Sequence, residues 1–206
     1  MPLQHLLYRC PLCGTDATTP RSRGVRCESC DATFEQGRAS VVLVRMADGT
    51  VEETSARALM DAIDAAEAAL YGSRAQVGPL PYQARVEVAR GDHHDAVWWR
   101  GRLLGFFERL RERREATLRL DDTHVTVSAD GVEPLVWPLE RIGAVQISSR
   151  AIQLNIRGMG LHQMEFLDDS PKRWETLLQG ALQAFYATLG REVVEFQPRI
   201  VTRALS

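Results

Sequence analysis

Four cysteines carry the clearest chemistry in this 206-residue chain: Cys10-Pro11-Leu12-Cys13-Gly14, then, after thirteen intervening residues, Cys27-Glu28-Ser29-Cys30. Each Cys-x-x-Cys pair sets two sulfurs on one side of a tight knuckle. Four soft thiolates complete a tetrahedron around zinc and leave no position for water or substrate. One structural Zn2+ held by Cys10, Cys13, Cys27 and Cys30 is therefore the expected cofactor. Iron accepts the same ligands, and two disulfides would consume the same residues. Residues 1–8 lack the basic stretch and apolar run of a secretory signal, so a reducing cytoplasm that keeps thiolates free for metal is the expected setting. Gly14 follows the second ligand, where a knuckle tolerates positive φ, and Gly24 precedes Val25-Arg26 on the way into the second knuckle.

Catalytic candidates are few. Gly91-Asp92-His93-His94-Asp95 puts histidines beside carboxylates, but consecutive side chains in a turn diverge and no second constellation partners them. A turn capping a following helix through Asp92 or Asp95 accounts for the cluster. His5, His124 and His162 stand alone in strand-like settings and read as surface or satisfied histidines. Asp121-Asp122 and Asp168-Asp169 sit at turn positions. The chain has no G-x-S-x-G, no phosphate-binding glycine loop and no dinucleotide fingerprint. The expectation is a protein without enzymatic activity.

The elements that position these residues follow from pattern. An apolar fraction of 45% with 25% charged residues can bury a core. Residues 1–45 end in the strand-like run Val41-Val42-Leu43-Val44. Residues 46–78 read as a helical connector, with Leu59, Ile63, Ala66 and Leu70 on one stripe. Gly78-Pro79-Leu80-Pro81 is the strongest punctuation and marks a boundary. A second domain is expected over 79–192, followed by a tail, 193–206, whose Val194, Phe196, Ile200 and Val201 are too apolar to stay free in water.

Within 79–192, Ala84 to Val88 alternates like a strand. Residues 95–115 place Trp99, Leu103, Phe106, Phe107 and Leu110 at helical spacing, although Gly101 and Gly105 oppose a helix. From Ala116 the period becomes two, giving a hairpin around Asp121-Asp122 and further strands. Ser170-Pro171 then supplies an N-cap and a first-turn proline. The helix it opens carries Trp174, Leu177, Leu178, Ala181, Leu182, Phe185 and Leu189 toward a core.

Tyr8-Arg9-Cys10-Pro11-Leu12-Cys13-Gly14 with Val25-Arg26-Cys27-Glu28-Ser29-Cys30 and Phe34 resembles the zinc-ribbon family. The resemblance implies nucleic-acid binding, protein contacts or a plain structural role. The pieces ATLRLDDTHVTV, LVWPLERIGAV, AIQLNI and MEFL, followed by SPKRWETLLQGALQAF, resemble pleckstrin-homology-like domains of the GRAM type. That resemblance implies an α+β chain: a small zinc ribbon plus an antiparallel β-barrel or sandwich closed by the C-terminal helix, binding lipid headgroups, peptides or proteins without catalysis. Lipid-binding members often present basic residues between their first strands. The nearest equivalents here, Arg109, Arg111, Arg113 and Arg114, are interrupted by Glu108, Glu112 and Glu115.

The functional expectation is an adaptor or scaffold with a protein partner, peripheral to the inner face of a membrane at most. The surface offered for it is Trp98, Trp99, Arg100, Arg102, Phe106 and Arg109, aromatic and arginine residues of the kind that anchor interfaces. The bland alternative packs the aromatic stripe onto the barrel and leaves the arginines solvated. Contact of the ribbon with DNA or RNA is a further alternative. The net charge of −2, and the near balance of Arg9, Arg21, Arg23, Arg26 and Arg38 against Asp16, Glu28, Asp31 and Glu35, count against it. Residues 97–107, the most apolar window, are interrupted by two arginines and fall short of the roughly 20 residues that cross a bilayer. Twenty-four of the 25 basic residues are arginine, a usage expected of a GC-rich bacterial genome.

Overall fold

The computed structural model describes residues 3–38, 40–71, 80–148, 150–197 and 199–205, with the side chains of 68–71, 92–94 and 105–107 outside that description. The described residues are α+β, mostly strand with two α-helices, and the chain divides into two compact units, 1–76 and 77–206.

The first unit is a five-stranded antiparallel meander: β1 (Thr18–Arg21), β2 (Gly24–Cys27), β3 (Thr33–Gln36), β4 (Val41–Arg45) and β5 (Val51–Ser55), paired in chain order. Alternation explains which face is inside. Val25 and Cys27 on β2, Phe34 on β3, and Val42 and Val44 on β4 are buried, while their neighbours face solvent. Gly24 is required by close approach, since a Cβ there would lie 1.8 Å from the Phe34 carbonyl oxygen on β3. Helix α1 (Ala56–Tyr71) follows β5 directly and adds Leu59 and Ile63 to the same core. The segment expected as a connector thus supplies a strand and a helix to the ribbon's own unit.

The second unit is built on a curled seven-stranded antiparallel sheet. In chain order its strands are β6 (Tyr82–Trp99), β7 (Arg102–Leu120), β8 (His124–Ser128), β9 (Leu135–Pro138), β10 (Ile142–Ile147), β11 (Ala151–Ile156) and β12 (Gly160–Phe166). Their spatial order is β10-β11-β12-β6-β7-β8-β9, so the last strand returns to pair with the first. Helix α2 (Pro171–Thr188) lies against β10 and β11. Its buried residues Trp174, Leu178, Ala181 and Leu182 join Val86, Leu118, Trp137, Ile152 and Leu154 in one core. Ser170 caps the helix as expected, its hydroxyl accepting from the backbone N–H groups of Lys172 and Arg173. Asp169 accepts from the indole N–H of Trp174 at 2.9 Å. Leu189, expected on the core face, falls at the C-cap and is exposed.

The tail folds back as a hairpin of β13 (Arg191–Glu195) and β14 (Val201–Ala204). Val193 and Ile200 enter the core, and Ile200 N–H donates to the Gly143 carbonyl at 2.7 Å. That contact covers β10, an edge of the large sheet whose free backbone groups would otherwise invite pairing.

One expectation is overturned. Residues 95–115 form no helix; they are the ends of β6 and β7, a hairpin with strands of 18 and 19 residues. Arg100 and Gly101 make the turn with φ of 47° and 77°, the pair of positive values that matches the twist of a two-residue hairpin. The helical spacing of the aromatics was coincidental. Trp, Phe and Val suit extended backbone, and two glycines within a turn and a half of helix remove the propensity that would compete.

Candidate metal centre and exposed hairpin tip

The first knuckle is held by Cys10 N–H donating to the Thr15 carbonyl at 2.8 Å and Gly14 N–H donating to the Cys10 carbonyl at 2.9 Å. Gly14, with φ of 71°, turns the chain after the second ligand. The second knuckle repeats the device: Cys27 N–H donates to the Ala32 carbonyl at 2.8 Å. There the positive φ belongs to Asp31, at 58°, whose carboxylate accepts from Arg26 at 2.7 Å. Aspartate is among the few residues that tolerate this conformation. The loop between the knuckles is the β1–β2 hairpin, which sets the two pairs face to face.

The result is one cluster. Cys10 Sγ lies 3.7 Å from Cys30 Sγ, Cys13 Sγ lies 3.6 Å from Cys27 Sγ, and all four sulfurs fall within 4.8 Å of one another. A tetrahedron with metal–sulfur bonds of ~2.3 Å has edges of about 3.8 Å. These separations fit that geometry and are far too long for a disulfide of about 2.05 Å. The cysteines are free thiols positioned to bind a metal ion.

Thiol acidity is uneven across the site. Burial pushes Cys10 and Cys30 up. The Thr15 hydroxyl, 3.2 Å from Cys13 Sγ, brings Cys13 down. For Cys27 burial works upward, but the amides of Cys30 and Ser29 with the Thr15 hydroxyl outweigh it and hold the thiol at about 6. Thr15, which also lies 3.7 Å from Cys27 Sγ, escapes sequence reasoning because nothing in its type marks it as a partner of sulfur. Such outer contacts orient ligands and favour the deprotonated form that binds metal.

The ribbon's arginines are largely spoken for. Arg9 is buried and pairs with Asp16 at 2.8 Å, Arg21 with Glu28 at 3.3 Å and Arg26 with Asp31 at 2.7 Å. Cations committed in this way add little to phosphate affinity.

In the second unit the structure disperses the predicted surface along the hairpin. Strand β12 pairs with β6 only through Arg90, and β8 pairs with β7 only from Thr117. Beyond Gly91 and Leu110 the hairpin is a two-stranded ribbon. Residues 95–104 are all exposed. Trp98 and Trp99 are 63% and 62% exposed, so these two do not pack onto the barrel as the bland alternative has the stripe do. Arg100 sits over the Trp99 ring at 5.6 Å, and Arg102 lies opposite Trp99 across the turn. Leu103, which the helical reading put on one stripe with Trp99, and Leu104 share the tip at 41% and 61% exposure. Arg109 is not at the tip. It belongs to the stem, donating to Asp95 at 2.6 Å. Phe106 is in β7 by backbone, and its side chain is outside the described residues.

The Asp92, His93 and His94 side chains are also outside the described residues, and Asp95 is tied to Arg109. His162 is buried rather than superficial, its ring 4.6 Å from Trp137, and burial lowers its pKa. Asp121 serves its turn, accepting from the N–H groups of Thr123 and His124 at 2.9 and 2.8 Å. Asp168 accepts from the Arg85 N–H at 2.9 Å. No helix is long and apolar enough to cross a membrane among the described residues. No family model matches the chain, and no curated protein matches it.

Proposed function

We propose that the chain is a non-enzymatic scaffold. Its first unit is a ribbon stabilised by one structural zinc, and its second is a pleckstrin-homology-like domain that docks a protein or membrane surface through the β6–β7 hairpin. The single observation that carries the reading is the tip of that hairpin, with Trp98 and Trp99 held in solvent beyond the last paired strand. Large aromatics are costly to leave in water and are over-represented at binding hot spots. The order of seven antiparallel strands with one helix after them supports the pleckstrin-homology-like assignment. Zinc is favoured by four thiolates at tetrahedral spacing, which close the coordination sphere and make the site a structural one.

A photo-crosslinking residue at position 98, compared with one at exposed position 140, tests the docking role in the native cell. Adducts formed at 98 and not at 140 are expected. Absence of adducts at 98 from a folded protein would discard the reading. Elemental analysis tests the metal: about one zinc per chain is expected, and iron or none would replace it.

A further inference from the structure

We infer that a groove on the outer face of the seven-stranded sheet is a binding site for a neutral saccharide. The site lies at the stem of the β6–β7 hairpin rather than at its tip, and it is independent of the docking role.

The groove has a volume of about 880 Å³, within the roughly 300–1,000 Å³ that small-ligand sites occupy. Its floor belongs to β10, β11 and β12. Alternation sends Ile152, Leu154, Ile156 and Met164 into the core and turns Gln153, Asn155 and Gln163 to the opposite face. Its wall is the stretch of β7 from Glu108 to Arg113. The wall meets the floor across β6, and a glycine at the crossing permits it. A Cβ on Gly91 would lie 2.2 Å from a Glu108 carboxylate oxygen and 3.3 Å from Leu161 Cβ. Arg113 likewise reaches over β6 to Glu165 on β12, at 3.7 Å.

Three properties of the lining select the ligand. The first is a row of carboxamides. Gln146 stands opposite Gln153 and Gln153 opposite Gln163, so three glutamines cross adjacent strands about 4.8 Å apart. Gln153 Nε2 donates to Gln163 Oε1 at 2.7 Å, while the side chains of Gln146 and Asn155 make no hydrogen bond among the described residues. A carboxamide holds an acceptor and two donors on neighbouring atoms. Adjacent hydroxyls of a sugar ring, each a donor and an acceptor, match that pair.

The second property is charge. Arg109 pairs with Asp95 at 2.6 Å, and Arg113 with Glu87 at 2.6 Å besides Glu165. With Arg111 and Glu108 of the wall, three cations meet four acids. No cationic excess is left to attract a phosphate or carboxylate, so the ligand that fits is uncharged.

The third is the apolar part of the lining. Ala144 and Leu161 flank Asn155 in the next row of the floor, and Leu110 stands on the wall. Aliphatic groups of this size suit the C–H face of a sugar ring. A nucleobase binds by stacking on aromatic side chains, and none is among the described residues of the lining. An extended peptide pairs with a free sheet edge. The edge beside the groove, β10, is already covered, since Val145 N–H donates to the Phe196 carbonyl and the Gly143 carbonyl accepts from Ile200.

The test titrates the full chain with three neutral trisaccharides, maltotriose, cellotriose and triacetylchitotriose, while backbone amide spectra are recorded. A sulfated maltotriose and an end-blocked alanine tripeptide serve as references. At least one neutral trisaccharide should shift the signals of Gln146, Gln153, Asn155 and Gln163 and of the wall, and leave residues 98–104 in place. Gln153→Leu/Gln163→Leu should keep the circular dichroism spectrum and weaken that binding by about tenfold, roughly threefold per carboxamide. Trp98→Ser/Trp99→Ser should bind the sugar as the parent does.

The inference falls if none of the three sugars shifts the groove signals, or if the shifts cluster elsewhere. Binding of the sulfated sugar or the tripeptide without the neutral sugars would also overturn it, as would equal affinity in the glutamine variant. Crosslinking at position 98 is unaffected by any of these results, so the docking role stands or falls separately.

Discussion

The two units solve the same problem, a stable antiparallel sheet, with different means. The second unit is self-sufficient: a curled seven-stranded sheet and α2 enclose Trp137, Trp174 and a continuous set of Leu, Ile and Val. The first has short strands and a thin core, two of whose buried members, Cys10 and Cys27, belong to the four-sulfur site. Small units with short strands are marginal on apolar burial alone, and the four sulfurs are positioned where a bound metal would add to this core. The difference teaches where change is tolerated. In the first unit four sulfurs sit at the edge of a small core, whereas many apolar contacts make up the core of the second.

Metal removal should break the comparison most visibly. Chelation, or Cys27→Ser, should unfold the first unit, since structural zinc in small domains contributes on the order of 10 kcal/mol or more. Backbone amide spectra should then lose the dispersed signals of residues 3–71 and keep those of 80–205. Collapse of both sets would mean that the units share a core. Next in size is Trp174→Ala. It empties the centre of the second unit and removes the indole N–H that Asp169 accepts from, for a loss of about 3–5 kcal/mol by denaturant unfolding, with the metal content unchanged.

A smaller effect is expected at Asp121, which holds its turn in the second unit. Asp121→Ala should cost about 1–2 kcal/mol. Three turn hydrogen bonds, from Thr123 N–H, His124 N–H and the Thr123 hydroxyl, favour its carboxylate over the opposing effect of burial, so its folded pKa lies below the ordinary 3.8. The stability it contributes is present above 3.8 and is lost as the pH falls through the lower folded value. Thermal unfolding of the parent should therefore drop more steeply with acid than that of Asp121→Ala in this window. The smallest effect belongs to the hairpin tip. Trp98→Ser/Trp99→Ser should change unfolding by less than about 0.5 kcal/mol, because these side chains support neither core. A large loss would show that the tip packs in the folded protein.

Much of this architecture is legible in the residues. The metal site needs only ligand type and spacing, because a Cys-x-x-Cys knuckle closes locally and the intervening hairpin brings the two together. Helix α2 is equally local, with its cap, its proline and its apolar stripe all written within about five turns. The alternation after Ala116 gives the strands, and the turn carboxylates explain themselves.

What needed the tertiary structure is whatever depends on partners distant in the chain. Residues 95–115 satisfy a helical spacing and an extended one, and pairing of β6 with β7 decides between them. The Arg100-Gly101 turn that starts that pairing lacks the Asn-Gly or Asp-Gly signature that would mark it. The role of residues 51–71 in the ribbon's own core could not be read from a thin apolar stripe, which says that a face is buried but not against what. Thr15 reaches two sulfurs only because the knuckles meet, and Trp98 and Trp99 are exposed only because the neighbouring strands end before them. Ligand chemistry and local caps are short-range and therefore belong to the sequence; which apolar faces find cover is a long-range outcome, decided by the sheet.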